Sequence, residues 1–200
     1  MVTSVHTSCI DFLTLFNEQV ESANSGVSFA PPRGWIFHRG MRFGATHTWW
    51  GEVEERSVPH EGLDLLHYLS AQGTNSTLTS HVRLVTPLGG EVAAVSGDFL
   101  GSSVWLHHSE IRARGKHLYS VYAHIAPAAQ IRVGAMVESG DTLGTISQGN
   151  SAGRVPGHLH LSLFWATASL DAQQLDWPRL AFLPEVRLID PMQPILPHSR

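Results

Sequence analysis

In the segment PGHLHLSL, residues Pro156 to Leu163, His158 and His160 stand on either side of one leucine. Side chains two apart on a β-strand project to the same face, so both imidazoles address one space. Far upstream, HEGLD holds the only His-x-x-x-Asp of the chain, His60 to Asp64, with a glycine at Gly62. The single cysteine, Cys9, excludes an intrachain disulfide and any multi-cysteine zinc cluster. A zinc site would therefore be built from imidazole and carboxylate. Two histidines and one carboxylate on a rigid sheet make a three-ligand set with a fourth position for water, the pattern of a catalytic site rather than a closed structural one.

With 13 histidines in 200 residues, either pattern alone also has a plain reading. HLH suits two polar residues on a solvated strand face, and HEGLD suits a turn followed by a buried, hydrogen-bonded aspartate. Context favours chemistry. HEGLD runs into the apolar segment LDLLHYL, which would hold Asp64 rigidly, and HLH follows the turn SAGRVPG. A third strand-like segment, YSVYAHI, carries His124. Hydrolysis at zinc needs a base for the attacking water and a group to steady the oxyanion. The histidines exceed what a zinc with one open position can use, and the surplus imidazoles are the natural catalysts.

The elements that must position these groups are mostly strands. SCIDFLTLFNEQVESA has apolar residues Ile10, Leu13, Phe16 and Val20 at helical spacing and reads as a short amphipathic helix. NSGVSFAPPRG reads as a loop. Then WIFH, LDLLHYL, VRLVT, EVAAVSG, SVWLHH, LYSVYAHI, TLGTIS and HLHLSLFW follow, mostly divided by Gly-rich turns, which indicates a β-dominated domain. LDAQQLDWPRLAFLP is a helical or irregular insert ended by Pro178 and Pro184, and the tail LIDPMQPILP is extended.

The order of these motifs resembles that of the lysostaphin/LytM-type zinc metallopeptidases. HEGLDL, YAHI, the Gly-rich IRVGAMVESGDTLGTISQGNSAG and GHLHLSL occur in the family's order from about Phe43 to Leu163, and IDP at Ile189 to Pro191 echoes its closing segment. The resemblance implies a mainly β, antiparallel sheet or barrel-sandwich peptidase domain over residues 34–200, preceded by a helix and linker over 1–33. It implies His60, Asp64 and His160 as ligands of one zinc ion, with His124 and His158 as the catalytic pair. It also implies an endopeptidase acting on peptide bonds of bacterial cell-wall peptidoglycan, and hence a periplasmic, envelope or secreted location. The alternative is a catalytically silent peptidoglycan- or protein-binding module, but such relatives usually lack one or more of the five positions that this chain retains.

There are departures from the family. Pro-Gly-His precedes the second motif where Gly-Pro-His is usual, and no tyrosine precedes His60. The connection after Asp64 and the insert after Trp165 are both long, and both are candidates for cleft walls. A net charge of −4 with no basic run argues against a nucleic-acid partner. The first residues carry no Lys or Arg and Asp11 interrupts their apolar stretch, so no export signal is expected, and no segment is apolar enough to span a bilayer. The N-terminal helix is open to two readings, a latency segment over the cleft or an unusual export element.

The other histidines are set aside. Alternation sends His67 to the face opposite Asp64. The adjacent His107 and His108 read as strand-end or turn residues, and His6, His38, His47, His81, His117 and His198 as surface residues. Trp49 and Trp50 suit either an aromatic platform or a hydrophobic clasp. The Gly-rich hairpin lacks the lysine a biotinyl or lipoyl carrier needs.

Overall fold

The computed structural model describes residues 9–25, 32–148, 155–175 and 180–195. The expected turn SAGRVPG lies largely outside them, as do most of the loop 24–31, His6 and His198.

The chain opens with α1, Phe12–Ala23, where Asp11 accepts a hydrogen bond from the Thr14 N–H as N-cap. Phe12, Phe16 and Val20, spaced by four, form its buried face. Replacing Phe16 with alanine is expected to cost about 3–5 kcal/mol. Asn24 ends the helix and ties it to the sheet. Its amide donates to Val20 O and Arg83 O, and its carbonyl accepts from Arg83 N. Among the described residues, no helix is long and apolar enough to cross a membrane.

Among the described residues twelve short to medium strands follow, all paired antiparallel. They are β1 (Pro32–Ile36), β2 (Leu63–Leu65), β3 (His67–Ser70), β4 (Asn75–Thr77), β5 (Arg83–Val85) and β6 (Gly90–Gly97). Then come β7 (Ser102–Ala113), β8 (Lys116–Pro127), β9 (Met136–Val137), β10 (Thr142–Ile146), β11 (Leu159–Ala166) and β12 (Arg187–Ile189). A small sheet has the order β1-β3-β4. The large one runs β12-β11-β8-β7-β6-β9, with β2 added to β11 and β10 joining β8 to β5. Pro32 to Gly34, read from sequence as loop, belong to β1 because the segment pairs with β3.

The β7–β8 hairpin forms the backbone of the molecule. Its two-residue turn, Arg114 (φ 49°) and Gly115 (φ 75°), has the positive φ values that match strand twist. His107 and His108 therefore lie well inside a 12-residue strand, not at its end. Residues of β11 are buried on both faces, so the polar positions of the alternating HLHLSL, His160 and Ser162, are buried along with its leucines. One face packs the main core, including Phe16, Leu106, Tyr122 and Leu161. The other packs Trp105, Tyr119 and Phe164 under Ala172 and Leu180 of the C-terminal insert. That insert covers the back of the sheet, and the long connection after Asp64 builds β3 and β4.

Candidate metal centre

Antiparallel pairing of β2 with β11 sets Asp64 directly opposite His160 across the ladder. His60 is brought beside them by the preceding loop, which is pinned by its backbone. Gly44 N donates to His60 O and His60 N donates to Ala45 O. The three reactive atoms converge. His160 Nδ1 lies 2.9 Å from Asp64 Oδ1, His60 Nε2 lies 3.2 Å from that oxygen, and the two nitrogens are 3.1 Å apart. All three residues are buried.

These atoms could hold a metal ion. Tetrahedral zinc with bonds of about 2.0–2.2 Å sets its ligand atoms roughly 3.3–3.6 Å apart, so an outward shift of a few tenths of an ångström suffices. The surroundings suit that use. His60 donates Nδ1–H to Arg42 O at 3.0 Å, which fixes the tautomer and turns Nε2 inward. His160 Nε2 meets Ser162 Oγ at 2.8 Å and Glu61 Oε1 at 3.3 Å, leaving Nδ1 for the centre. The Trp49 indole donates to Asp64 Oδ2 at 2.6 Å, and Arg56 lies 3.9 Å from the same oxygen, so Oδ1 is the one turned to the centre. At Gly62 a Cβ would fall 2.6 Å from His160 Nε2, Leu161 O and Ser162 Oγ, so only glycine lets the loop close on β11.

Electrostatics follow from this packing. Burial opposes ionisation of Asp64, but the His60 and His158 imidazoles outweigh it and hold its carboxyl well below the usual range. Burial likewise pushes the His160 imidazole down, yet its hydrogen bonds to Asp64 and Glu61 dominate and raise it to about 9. Glu61 is lowered in turn, its burial outweighed by His160.

His124 and His158 flank this group, their rings 4.9 Å apart, and the His124 ring centre lies 5.9 Å from that of His160. His158 donates Nδ1–H to Pro156 O at 2.7 Å, and its Nε2 lies 3.4 Å from Asp64 Oδ1. His124 donates Nδ1–H to Asp98 Oδ1 at 3.0 Å. Burial lowers the His124 imidazole, with Asp98 opposing and His158 and His160 adding to the shift. Asp98 is held far below the carboxylate range, its burial outweighed first by the His124 hydrogen bond.

The five groups picked out by sequence thus line one cavity of about 180 Å³, with Trp50, Arg56, Glu61 and Phe99 completing its wall. No described residue of α1 or of the two long connections lines it. A larger cavity of about 600 Å³ borders Trp49 and carries His38 and His47 but no carboxylate, so the ligand chemistry belongs to the smaller one.

His67 faces Thr77 and His38, away from the centre. His38 is exposed, as expected, and its ring lies parallel to that of Trp49 with centroids 6.5 Å apart. Sequence reasoning missed Asp98, Glu61 and the Trp49 hydrogen bond. Only Asp98 left a local signal, the Asp-x-x-Gly of DFLG, in which the carboxylate accepts the N–H groups of Leu100 and Gly101.

No protein-family model matches the chain, and no curated protein matches it. Among solved structures it is similar to a zinc-containing peptidase from Vibrio cholerae, with 17% identity and a TM-score of 0.45 over 84% of this chain and 41% of that one. It is also similar to a catalytic domain of the prophage-encoded M23 protein EnpA from Enterococcus faecalis, with 19% identity and a TM-score of 0.43 over 84% and 98% of the two chains. A third is the catalytic domain of lysostaphin from Staphylococcus simulans, with 15% identity and a TM-score of 0.41 over 64% and 80%. This chain spans less than half the length of the Vibrio protein.

Proposed function

We propose that the cleft binds one zinc ion through His60, Asp64 and His160 and hydrolyses peptide bonds, with peptidoglycan peptides as the substrate class. The observation that carries this reading is the convergence of two imidazole nitrogens and one carboxylate oxygen within 2.9–3.2 Å. Two further histidines with tied Nδ1 atoms stand beside them. The substrate class follows the motif resemblance. The division into an N-terminal helix and linker over 1–33 and a peptidase domain over 34–200 belongs to the same reading.

Bound zinc would supply a Lewis acid that polarises the scissile carbonyl and acidifies a water. The chain's own residues do the rest. Trp49 and Arg56 hold Asp64 by one oxygen, while Arg42 O and the Ser162–Glu61 pair fix the two ligand imidazoles. One of His124 and His158 takes the proton of the attacking water, and the other donates to the developing oxyanion. Trp50 and Phe99 give the cavity apolar edges beside this pair, 6.2 Å from the His158 ring and 4.6 Å from the His124 ring.

The test is mass spectrometry of purified peptidoglycan incubated with zinc-loaded or metal-stripped protein. New peptide fragments that depend on the metal are expected. Their absence with zinc confirmed in the protein would refute the endopeptidase. His160→Ala should lose zinc, whereas His158→Ala should keep it and lose turnover by about 10²–10⁴-fold. Equal zinc retention in both variants would refute this division of roles.

A further inference from the structure

The two histidines beside the centre are held differently. His158 donates its Nδ1–H to a neutral carbonyl, Pro156 O. His124 donates its Nδ1–H to the carboxylate of Asp98, and that carboxylate does nothing but accept. Its Oδ1 also receives the N–H groups of Leu100 and Gly101 at 2.9 and 2.7 Å. Its Oδ2 receives the Ser103 hydroxyl at 2.9 Å and the His124 backbone N–H at 3.0 Å. Five donors leave the carboxylate one position and one ionisation state.

His124 is at the same time in an unusual backbone state. Its φ is 63°, in the left-handed region that residues with a Cβ avoid. Here β8 changes partners, pairing with β11 up to Ala123 and with β10 from Ile125. The kink turns the His124 ring into the cavity wall. Asp98 grips both the backbone N–H and the ring Nδ1–H of this one residue, so it fixes where the ring lies and which nitrogen carries the proton.

The geometry points to Asp98 as the positioning residue of His124, and to His124 rather than His158 as the member of the pair that takes the proton of the attacking water. The assignment rests on the hydrolase reading above. With Nδ1–H committed to the carboxylate, the basic lone pair falls to Nε2. The water's proton goes to Nε2, its oxygen keeps the electron pair for the carbonyl carbon, and the imidazolium so formed faces an anion already in place. His158 has a neutral carbonyl behind Nδ1 and meets a carboxylate, Asp64, only on its cavity side, 3.4 Å from Nε2. It is left to donate to the oxyanion, a role in which Nε2 carries the proton.

The experiment is ¹⁵N NMR of the histidine rings in zinc-loaded full-length protein, combined with steady-state kinetics on the peptidoglycan peptide it cuts. The unaltered protein should show His124 as the Nδ1–H tautomer. Asp98→Asn places an amide N–H₂ among groups that all donate. It should shift that tautomer and lower kcat by about 10²–10⁴-fold, with KM and zinc content unchanged. The Asp98→Ala, His124→Ala double variant should be no slower than His124→Ala alone, because Asp98 acts through that ring.

A residue that merely braces the kink would leave the tautomer alone and slow the double variant further. Either result overturns the assignment while the hydrolase reading stands. Should Asp98→Asn fail to fold, an Nε2–H tautomer in the unaltered protein would overturn it without any variant. No turnover by the zinc-loaded parent would instead remove the hydrolase reading and this assignment with it.

Discussion

Among the described residues, two pairs of histidines bring ring nitrogens together, and one of them looks like a metal centre. His60 Nε2 and His160 Nδ1 are 3.1 Å apart, while His107 Nε2 and His117 Nδ1 are closer still, at 2.6 Å. Proximity therefore does not make a site. The first pair closes on a buried carboxylate, Asp64, and its outer nitrogens are engaged by Arg42 O, Ser162 and Glu61. The second pair lies on the half-buried side of the β7–β8 hairpin, stacked with Tyr119. Burial lowers both its imidazoles, with Arg112 adding to the shift and Glu91 and Glu110 opposing it. Among the described residues, a divalent cation meets a buried carboxylate converging with both imidazoles only at the first pair.

A second contrast sharpens the first. His108 and His160 are both buried, but they are driven in opposite directions. His108, facing Gly89 O and Ser120 Oγ with no carboxylate, is pushed down to about 4, mainly by burial. His160, facing two carboxylates, is raised to about 9 in spite of burial. The partner decides the charge, and burial only sets how much that decision is worth.

The largest effect that separates these regions is expected from Asp64→Ala. Loss of one of three protein ligands should weaken zinc binding by a hundredfold to a thousandfold, on the order of one ligand's share of the ~10–16 kcal/mol typical of structural zinc sites. Competition with a chromophoric chelator would read this directly, and turnover should vanish with the metal. Unchanged zinc affinity would erase the distinction between the two pairs.

The His108 contrast has a pH signature. Its folded-state value of about 4 lies below the ordinary 6.5, so between those pH values the unfolded chain binds the extra proton. Stability from this group is therefore complete above about pH 6.5 and is lost as pH falls toward 4, by roughly 3 kcal/mol in all. Urea unfolding at pH 7 and pH 4.5 should show the loss, and His108→Gln should flatten it. Equal pH dependence in the two proteins would show that His108 is not held neutral by burial.

A smaller effect is expected from Glu61→Gln, which removes a carboxylate behind His160 but none of the three converging atoms. Zinc affinity should drop about 10–100-fold with the fold intact. The smallest belongs to the other pair. His107→Ala and His117→Ala should leave zinc stoichiometry and turnover unchanged and shift stability by no more than about 0.5 kcal/mol. A change in zinc content for either would mean that proximity alone suffices after all.

Much of this was readable from the chain. Alternating and β-branched runs located most strands because side-chain period is local, and helical spacing located α1, though the segment read as helix began before Asp11, which caps it. His60, Asp64, His124, His158 and His160 were each readable as residues. Their convergence was implied only by the family resemblance and not by spacing, because it depends on β2 pairing with β11 in the one register that sets Asp64 against His160. The same holds for His124, whose orientation comes from a left-handed kink and a carboxylate 26 positions away. His107 was misplaced for the opposite reason. The turn at Arg114–Gly115 lies beyond it, so a strand that looked finished at SVWLHH runs on for several more residues.

The most direct test is anomalous X-ray diffraction at the zinc edge from crystals of the zinc-loaded protein. A single peak bonded to His60 Nε2, Asp64 and His160 Nδ1, with His124 and His158 outside bonding distance, is the expected result. A peak at His107 and His117, or one ligated by His158 in place of His160, would contradict it.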